Sequence, residues 1–337
     1  MNRFQRAIGF FDAHMVAASN TFEAPPTISI GRALQLIQAI PEAERYKKYS
    51  NGDEIFYIRD WYQDGDDHHI LVNKSDRLLS DPRFSNPLAH SWRTVPRRPD
   101  EGLDFSCHIL IRANDDPLGQ AQTLIENATG LTVSAIQRFF NALMRDAADI
   151  EPAAFTFNHP DGLKSYKARF MFRFDGHPAD DLIDDLEAGS IAGIELITAR
   201  DEDAALDTHG YVREVKKSLQ VRLANVVERG TRVPTLRNFL NGRSRNFEQA
   251  RIRFTSTDGQ TRQVTVNTGD FSVGMDTVFV KRMIIKDFTT PLEQSYTKLD
   301  AEIIQKMRQL VGLQNVHLPP SAPVLVLDDQ VQQEGAA

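Results

Sequence analysis

The chain has 337 residues, of which 41% are hydrophobic and 25% charged, and its formal net charge is −7 at pH 7. This length favours two domains, and the composition is that of a globular protein with enough apolar residues for a core. A negative net charge argues against indiscriminate adhesion to polyanions, but it permits a local basic patch. No run of about 18 apolar residues is present, so the sequence predicts no membrane span.

Cysteine usage and the first residues bear on where the protein works. Cys107 is the only cysteine, which excludes an intramolecular disulfide and a cysteine-based zinc cluster within one chain. The apolar run at the start contains Asp12 and His14 and has no cleavage site, so it does not resemble a signal peptide. We therefore expect a cytoplasmic protein.

The first half of the chain predicts a mixed domain over residues 1–150. Residues 76–102 are proline-rich and predict either a surface arm or a loop that wraps a partner. The other predicted elements, in order, are a strand at 4–17, a helix capped by Ser29, a hairpin of 53–60 with 68–74 around an Asp-Gly turn, a strand at 103–113, and helical material over 114–149 that restarts at a Thr132 cap.

The second half predicts a mixed domain over 151–318, with a boundary near Glu151-Pro152 and a flexible tail at 319–337. Strict alternation predicts a strand at 165–174 whose core face carries Tyr166, Ala168, Phe170, Phe172 and Phe174. The remaining predicted elements are a helix ending at Gly189, a strand at 191–199, an amphipathic helix at 212–227, an Arg-rich loop, a hairpin with an Asp-Gly turn, a strand at 277–288 and a helix at 290–312. The predicted fold class is α+β, with two mixed domains and mostly antiparallel sheets.

A basic segment, residues 213–253, stands out in this acidic chain. It holds eleven Arg or Lys and three Glu, which leaves a charge of −15 on the rest. Because Arg presents a planar fork to phosphate oxygens, such a surface suits the phosphate backbone better than base edges. We predict a site for double-stranded DNA formed by Arg213, Lys216, Lys217, Arg229, Arg232, Arg237, Arg243, Arg245, Arg251, Arg253, Lys167, Arg169, Arg173, Arg282 and Lys286.

Two other interpretations stay open. Residues 175–207 hold eleven Asp or Glu against Arg200 alone, directly before the basic segment. These acids could neutralise the basic segment inside the domain or across a dimer, as in a protein-interaction or scaffold module. A metal-dependent nuclease effector is the other alternative, because sites assembled from distant residues leave no local motif.

No catalytic motif is found, so we predict no enzyme, no cofactor and no metal site. His68 and His69 are adjacent on a strand and point to opposite faces, which prevents them from easily sharing a metal ion. The pair Cys107-His108 meets the same objection, and we expect core or turn residues in both places. The acidic stretch 201–207 lacks the glycine and closing glutamate of a calcium loop.

Three stretches together resemble the RexA family of lambda-type prophages. They run from LDFSCHILIRANDD to AIQRFFNAL, from ARFMFRFDGHPADD through ELITA to DTHGYVREVKKSLQ, and over ARIRFTSTDGQTRQVTVNTGDFSV. The resemblance implies a two-domain, dimeric DNA-binding protein with little sequence specificity. It also implies the sensor role in phage superinfection exclusion (an abortive-infection form of antiviral defence), with a RexB-like membrane channel protein as partner. The candidate residues come from charge placement alone.

Overall fold

A computed structural model describes residues 3–23, 25–114, 119–159, 164–198, 217–221, 231–244, 246–256, 259–269, 271–272 and 279–314. The strands are β1 (Gln5–Ala18), β2 (Tyr46–Tyr49), β3 (Glu54–Asp64), β4 (Asp67–Asp76), β5 (Arg83–Asn86), β6 (Ser91–Thr94), β7 (Leu103–Arg112), β8 (Ala121–Glu126), β9 (Thr156–Asn158), β10 (Ser165–Lys167), β11 (Arg169–Gly176), β12 (Ser190–Thr198), β13 (Lys217–Val221), β14 (Gln249–Thr255), β15 (Thr261–Asn267) and β16 (Arg282–Lys286). The helices are α1 (Ile30–Gln38), α2 (Val133–Ile150), α3 (Asp180–Ala188), α4 (Arg232–Asn241) and α5 (Ala301–Gln314). The predicted α+β class is confirmed.

The largest sheet has eight strands in the order β11-β1-β8-β7-β4-β3-β2, with β16 also paired to β1. Its described pairings are all antiparallel. Since β8 runs along one edge of β1, β11 and β16 share the other edge end to end. Strands β11 and β16 lie after the predicted domain boundary at Glu151-Pro152, but they belong to the same sheet as strands of residues 1–150. The eight-stranded sheet therefore contains strands from both predicted domains.

The second sheet has four strands in the order β13-β12-β14-β15. Leu196, Ile252 and Val264 on its inner face belong to the same buried apolar cluster as the side chains beneath α1 and α2. One apolar core therefore underlies both sheets. A side-chain hydrogen bond of 3.0 Å, from Asn267 Nδ2 to Asp175 Oδ1, adds a polar link between β15 and β11.

The two faces of the eight-stranded sheet differ in character. One face is apolar and lies under α1 and α2, which bury Leu34, Phe139 and Phe140 against it. The opposite face lies under α5, where a second, smaller cluster forms around Ile303 and Met307. Among the described residues, no helix is both long and apolar enough to cross a lipid bilayer.

Several local predictions are confirmed. Ser29 Oγ accepts from Arg32 N at 3.1 Å and caps α1, and Thr132 Oγ1 accepts from Ala135 N at 3.2 Å and caps α2. The predicted core face of residues 166–174 is buried at every second position. In each case the signal is local, because a cap or an alternating face is set by residues a few positions apart.

Five predicted elements differ from the structure, and one of them is the helix predicted at 290–312, which begins only at Ala301. The helical material placed over 114–149 includes strand β8, which is buried on both faces and therefore lacks the alternation that marks a strand. The helix placed at 212–227 is a strand over Lys217–Val221, where Leu219 is 44% exposed instead of buried; the other residues of that prediction lie outside the described residues. The predicted Arg-rich loop contains helix α4, and in the described part of the strand predicted at 277–288 only β16 is a strand. The tail at 319–337 also lies outside the described residues.

The exposed edge of β11 is closed by side chains of α2. Asn141 Oδ1 accepts from Phe172 N at 2.6 Å, and Asn141 Nδ2 donates to Phe172 O at 3.3 Å. Gln137 Oε1 accepts from Phe174 N at 3.1 Å. Free edge groups are templates for pairing with another chain, so these amides end the sheet by taking the place of a neighbouring strand.

We predict that Asn141→Ala lowers the free energy of unfolding by about 1–3 kcal/mol, because it leaves the Phe172 N–H without its partner. Urea unfolding followed by circular dichroism measures this. Gln35→Ala is the matched control, since Gln35 is an exposed amide on α1. Equal stability of the two variants would contradict the assigned role of Asn141.

Candidate nucleic-acid interface

The fifteen predicted DNA-binding residues are not brought together on one surface. Arg213, Lys216, Arg229 and Arg245 lie outside the described residues, as does the side chain of Lys217. The described members are divided among α4 and the turn after it, the four-stranded sheet, β10 of a two-stranded sheet, and β11 and β16 of the eight-stranded sheet.

The arginines of α4 are engaged in the fold. Glu187 accepts from the backbone N of Arg232 at 3.1 Å and from that of Val233 at 2.8 Å, and so caps the helix from outside. The guanidinium of Arg232 donates to the carbonyl oxygens of Glu187 and Gly189. The guanidinium of Arg237 lies 5.5 Å from the ring centre of Phe271. These two arginines therefore hold α4 in place, which the sequence interpretation missed.

On the four-stranded sheet, Arg251 and Arg253 do share the outward face, as predicted, but one of them is neutralised. Arg251 Nη1 lies 2.9 Å from Glu195 Oε2, directly across the strand pair. Arg253 is exposed and sits opposite Gly193. On the outward face of β12 and β14, the three charged side chains Arg251, Arg253 and Glu195 together carry one net positive charge.

The basic residues of β11 and β16 lie on opposite faces of the eight-stranded sheet. Paired residues of antiparallel strands point to the same face, and successive residues alternate. Arg173 pairs with His14, whereas Arg282 pairs with Gly9, and positions 9 and 14 of β1 face opposite ways. Lys167, Arg169 and Arg173 are exposed at one place, and Arg282 and Lys286 at another. The predicted DNA-binding residues of β11 and β16 therefore do not form one surface.

The acidic segment pairs with basic residues of the same chain. Besides Glu195, Asp185 lies 3.6 Å from Arg262 and Asp180 lies 3.2 Å from Lys281. Residues 199–207 lie outside the described residues. Several described acidic side chains therefore neutralise basic side chains of the same chain. This pairing lowers the positive charge that the second half of the chain presents to a ligand.

A different basic surface projects from the body of the protein. Strands β5 and β6 form a hairpin, and residues 83–96 are exposed without exception. Residues 82–99 contain Arg83, Arg93, Arg97 and Arg98 and no acidic residue. We call residues 77–102 the arm. The sequence allowed for a surface arm here but missed the hairpin inside it.

Each face of this hairpin carries an arginine stacked on an aromatic ring. The guanidinium carbon of Arg93 lies 4.6 Å from the ring centre of Phe84, its partner across the strands. On the other face, the guanidinium carbon of Arg83 lies 5.1 Å from the ring centre of Trp92. Stacking holds each guanidinium plane in place while its N–H groups stay open to an outside acceptor.

The base of the arm is fixed to the large sheet. Asp76 and Leu103, which flank the arm, are paired between β4 and β7. A Cβ added at Gly102 would lie 2.5 Å from Ser75 Oγ, so only glycine permits this close approach. Arg97 Nε lies 3.0 Å from Asp81 Oδ1, so this arginine forms an ion pair near the start of the arm. The free charge of the arm is thus concentrated toward the hairpin.

The sheet face beneath α5 contains a buried charged network. Arg6 Nε lies 2.7 Å from Glu126 Oε1, and His108 Nδ1 lies 2.7 Å from Glu126 Oε2, with all three side chains almost fully buried. His108 Nε2 accepts from Asp300 N at 3.1 Å, just before α5 begins. Burial beside Glu126 raises the pKa of the Cys107 thiol. The expectation that Cys107 and His108 are core residues is confirmed.

A second polar group fastens the same segment further along the sheet. Asn73 Nδ2 donates to Asp104 Oδ2 at 2.8 Å and to Tyr296 O at 3.1 Å. Tyr57 donates to the same carboxylate at 3.0 Å, and burial together with the charge of Asp104 raises the pKa of Tyr57 to about 12. The residues before α5 are therefore held by hydrogen bonds as much as by apolar contacts. Asp104, Ser106 and His108 alternate along β7, which is the one sequence signal that could have revealed this face.

His68 and His69 are both buried, as expected of core residues. His69 Nε2 accepts from Arg308 Nε at 3.0 Å, which requires a neutral imidazole. Burial and the nearby charge of Arg308 lower the pKa of His69 to about 4. In the described part of the chain, no group of three or more His, Cys, Asp or Glu side chains is arranged to hold a metal ion.

Comparison with family models, with curated proteins and with solved structures gives no match for this chain. The candidate interface therefore rests on its own geometry.

We predict that Glu126→Ala lowers the free energy of unfolding by about 3–5 kcal/mol, because it leaves the buried Arg6 charge uncompensated. Chemical denaturation at neutral pH measures the change. Glu101→Ala is the control, since Glu101 pairs with Arg98 at the surface at 3.8 Å and such pairs contribute about 0–1 kcal/mol. A loss below about 1 kcal/mol for Glu126→Ala would remove the network from its proposed structural role.

We predict that His69 makes folding less favourable as the pH falls from about 6.5 to about 4. In that window the unfolded chain binds a proton at His69 and the folded chain does not, so the free energy of unfolding decreases. His69→Gln keeps an acceptor for Arg308 but does not titrate. The stability advantage of the unmodified chain over this variant should shrink between pH 7 and pH 4.5, and a constant difference would show that His69 does not titrate as assigned.

Proposed function

We propose that this protein binds double-stranded DNA with little sequence specificity, and that the arm is its main contact. The observation that carries the proposal is the exposed hairpin of the arm, which has no acidic residue and a stacked arginine on each face. Phosphates lie on both sides of a DNA groove, so a ribbon that enters a groove meets them with both faces.

Electrostatics supports the arm over the body of the protein. The chain is acidic as a whole, with a net charge of −7, and would repel a polyanion from most directions. The hairpin of the arm presents an exposed surface without acidic residues. Arg243 and Arg253 are exposed on the body and can add phosphate contacts there, whereas Arg232 and Arg251 are engaged within the fold.

The wider role follows the family resemblance noted in the sequence and is proposed on that basis. DNA binding would then be the sensing step of a phage-exclusion pair, carried out by a cytoplasmic homodimer whose partner is a RexB-like membrane channel protein. A neighbouring gene that encodes a multi-spanning membrane protein would support this role.

A protein-interaction module is the second candidate, and a specific observation favours it. Six of the thirteen exposed large hydrophobic side chains in the described chain lie in the arm: Leu78, Leu79, Phe84, Leu88, Trp92 and Val95. Interfaces between proteins are enriched in aromatic residues and Arg. The absence of acids between residues 82 and 99 supports the nucleic-acid proposal more strongly.

Charge reversal separates the arm from the body. We expect Arg83→Glu/Arg93→Glu to weaken duplex binding at least tenfold, and to flatten the slope of log K against log salt concentration by about 2, because two phosphate contacts are lost. Fluorescence anisotropy with a labelled duplex from about 50 to 200 mM salt measures both quantities.

The matched control is Arg169→Glu/Arg173→Glu, which makes the same change in net charge at exposed positions of β11. This variant should retain most of the affinity. If the two variants lose affinity equally, general charge and not the arm governs binding. If the arm variant binds as tightly as the unmodified chain, the arm is not the contact. If the unmodified chain binds no duplex and self-associates through the arm, the protein-interaction candidate replaces the proposal.

A further inference from the structure

The tip of the arm is a built turn that displays an apolar side chain. Asn86 Oδ1 accepts from Ala89 N at 3.2 Å, and His90 N donates to Pro87 O at 3.3 Å. The ring of Pro87 fixes its own φ angle, and His90 takes a φ of 47° to bring the chain back into β6. The tip is therefore held in one shape by its own hydrogen bonds and by proline.

Leu88 is 95% exposed at this tip, more than any other large hydrophobic side chain of the described residues. Turns are ordinarily formed by Gly, Asn, Asp, Ser or Pro, each of which serves the turn itself. Leu88 contributes nothing of that kind, and contact with water is unfavourable for its side chain. Together with Pro87 it makes an apolar point at the end of an otherwise basic ribbon.

The position of the two stacked arginines relative to this point is defined by the hairpin register. Arg83 and Arg93 each lie five residues from Leu88 along the chain, on opposite faces of the ribbon. At about 3.3 Å per residue, the backbone of both arginines is within roughly 17 Å of the tip. A groove that received the tip would therefore bring its two phosphate walls to these arginines.

We infer that the arm enters the minor groove of duplex DNA, that Leu88 backed by Pro87 inserts as a wedge at a base step, and that the duplex bends on binding. Apolar wedges of this kind unstack a step and kink the duplex, and flexible pyrimidine–purine steps yield to them most readily. The inference rests on the proposed DNA binding and adds the groove, the residue that inserts and the deformation.

A pocket on a second protein is the competing destination for an exposed leucine. Charge favours DNA, because Arg83 and Arg93 flank the tip and no acidic residue occurs in residues 82–99. A protein partner would need a strongly acidic pocket rim, whereas every DNA groove supplies phosphates at that place. A second copy of the chain as the partner is one outcome of the test.

The test measures bending and binding separately on the full chain. A duplex of about 30 base pairs with a central TA step carries a donor and an acceptor dye at its two ends. Energy transfer reports the end-to-end distance, and anisotropy of a singly labelled copy reports affinity. The proteins are the unmodified chain, Leu88→Ala, the control Leu78→Ala and the Arg83→Glu/Arg93→Glu variant. Leu78 is 63% exposed near the base of the arm, away from the tip.

We expect the unmodified chain and Leu78→Ala to raise energy transfer on saturation, which shows a bent duplex. Leu88→Ala should bind within about threefold of the unmodified chain and leave energy transfer near that of free DNA, because phosphate contacts supply most of the affinity. A further duplex carries the fluorescent base 2-aminopurine at the TA step. Its fluorescence should increase with the unmodified chain and not with Leu88→Ala, since unstacking relieves the quenching of that base.

Three results would overturn the inference, and they differ from failure of the proposed function. Binding without bending by the unmodified chain excludes a wedge. Bending that persists in Leu88→Ala assigns the deformation to other residues. Loss of self-association by Leu88→Ala in sedimentation, with DNA bending unchanged, assigns Leu88 to a second copy of the chain. By contrast, absence of duplex binding by every protein, including the unmodified one, refutes the proposed function itself.

Discussion

The hydrogen-bond ladder of β1 is the interaction on which the arrangement of this protein depends. This strand, Gln5–Ala18, pairs with β8 along one edge and with β16 and β11 in succession along the other. Its alternation decides which face each joining strand presents. A change of register by one residue would exchange the faces of β11 and would place Phe172 in water and Arg173 in the core. The separation of the basic clusters on β11 and β16 follows directly from this ladder.

The two faces of the same sheet are stabilised in different ways. Beneath α1 and α2 the contacts are apolar and do not depend on direction, whereas beneath α5 the Arg6–Glu126–His108 network and the Asn73–Asp104 pair impose defined partners. A buried ionic network contributes little net stability compared with apolar packing, yet it penalises misplacement strongly. The segment formed by α5 and the residues just before it is therefore positioned by its polar contacts and stabilised by the burial of Ile303 and Met307.

Local features of the fold were predictable from the sequence, and features that depend on distant partners were not. The Ser29 and Thr132 caps and the alternation over 166–174 need only neighbouring residues. Strand β8 was mistaken for a helix because it is buried on both sides, and five residues of the supposed basic helix form β13 because β12 offers them an edge. Propensity over a short window does not contain either fact.

The candidate site shows the same limit more sharply. Charge counting identified the basic segment, but Arg251 finds Glu195 across the sheet, 56 residues earlier in the chain. Conversely, the arm holds five Arg against three Asp or Glu, and the sequence predicted there only a surface arm or a loop that wraps a partner. Its character arises from the contact of Arg93 with Phe84, its partner across the strands, and from the diagonal contact of Arg83 with Trp92, both of which depend on cross-strand register. The contacts of each charged side chain, more than the number of charges in a segment, therefore determine which surface is a candidate for binding.

The pairing of Asp76 with Leu103 at the base of the arm has an evolutionary consequence. Because the two ends of the arm meet within one strand pair, the intervening residues form a self-contained insertion on the hairpin between β4 and β7. A tight turn of two residues could close that hairpin with the sheet unchanged. The length and sequence of residues 77–102 can therefore change while the strand pairing of the body stays the same.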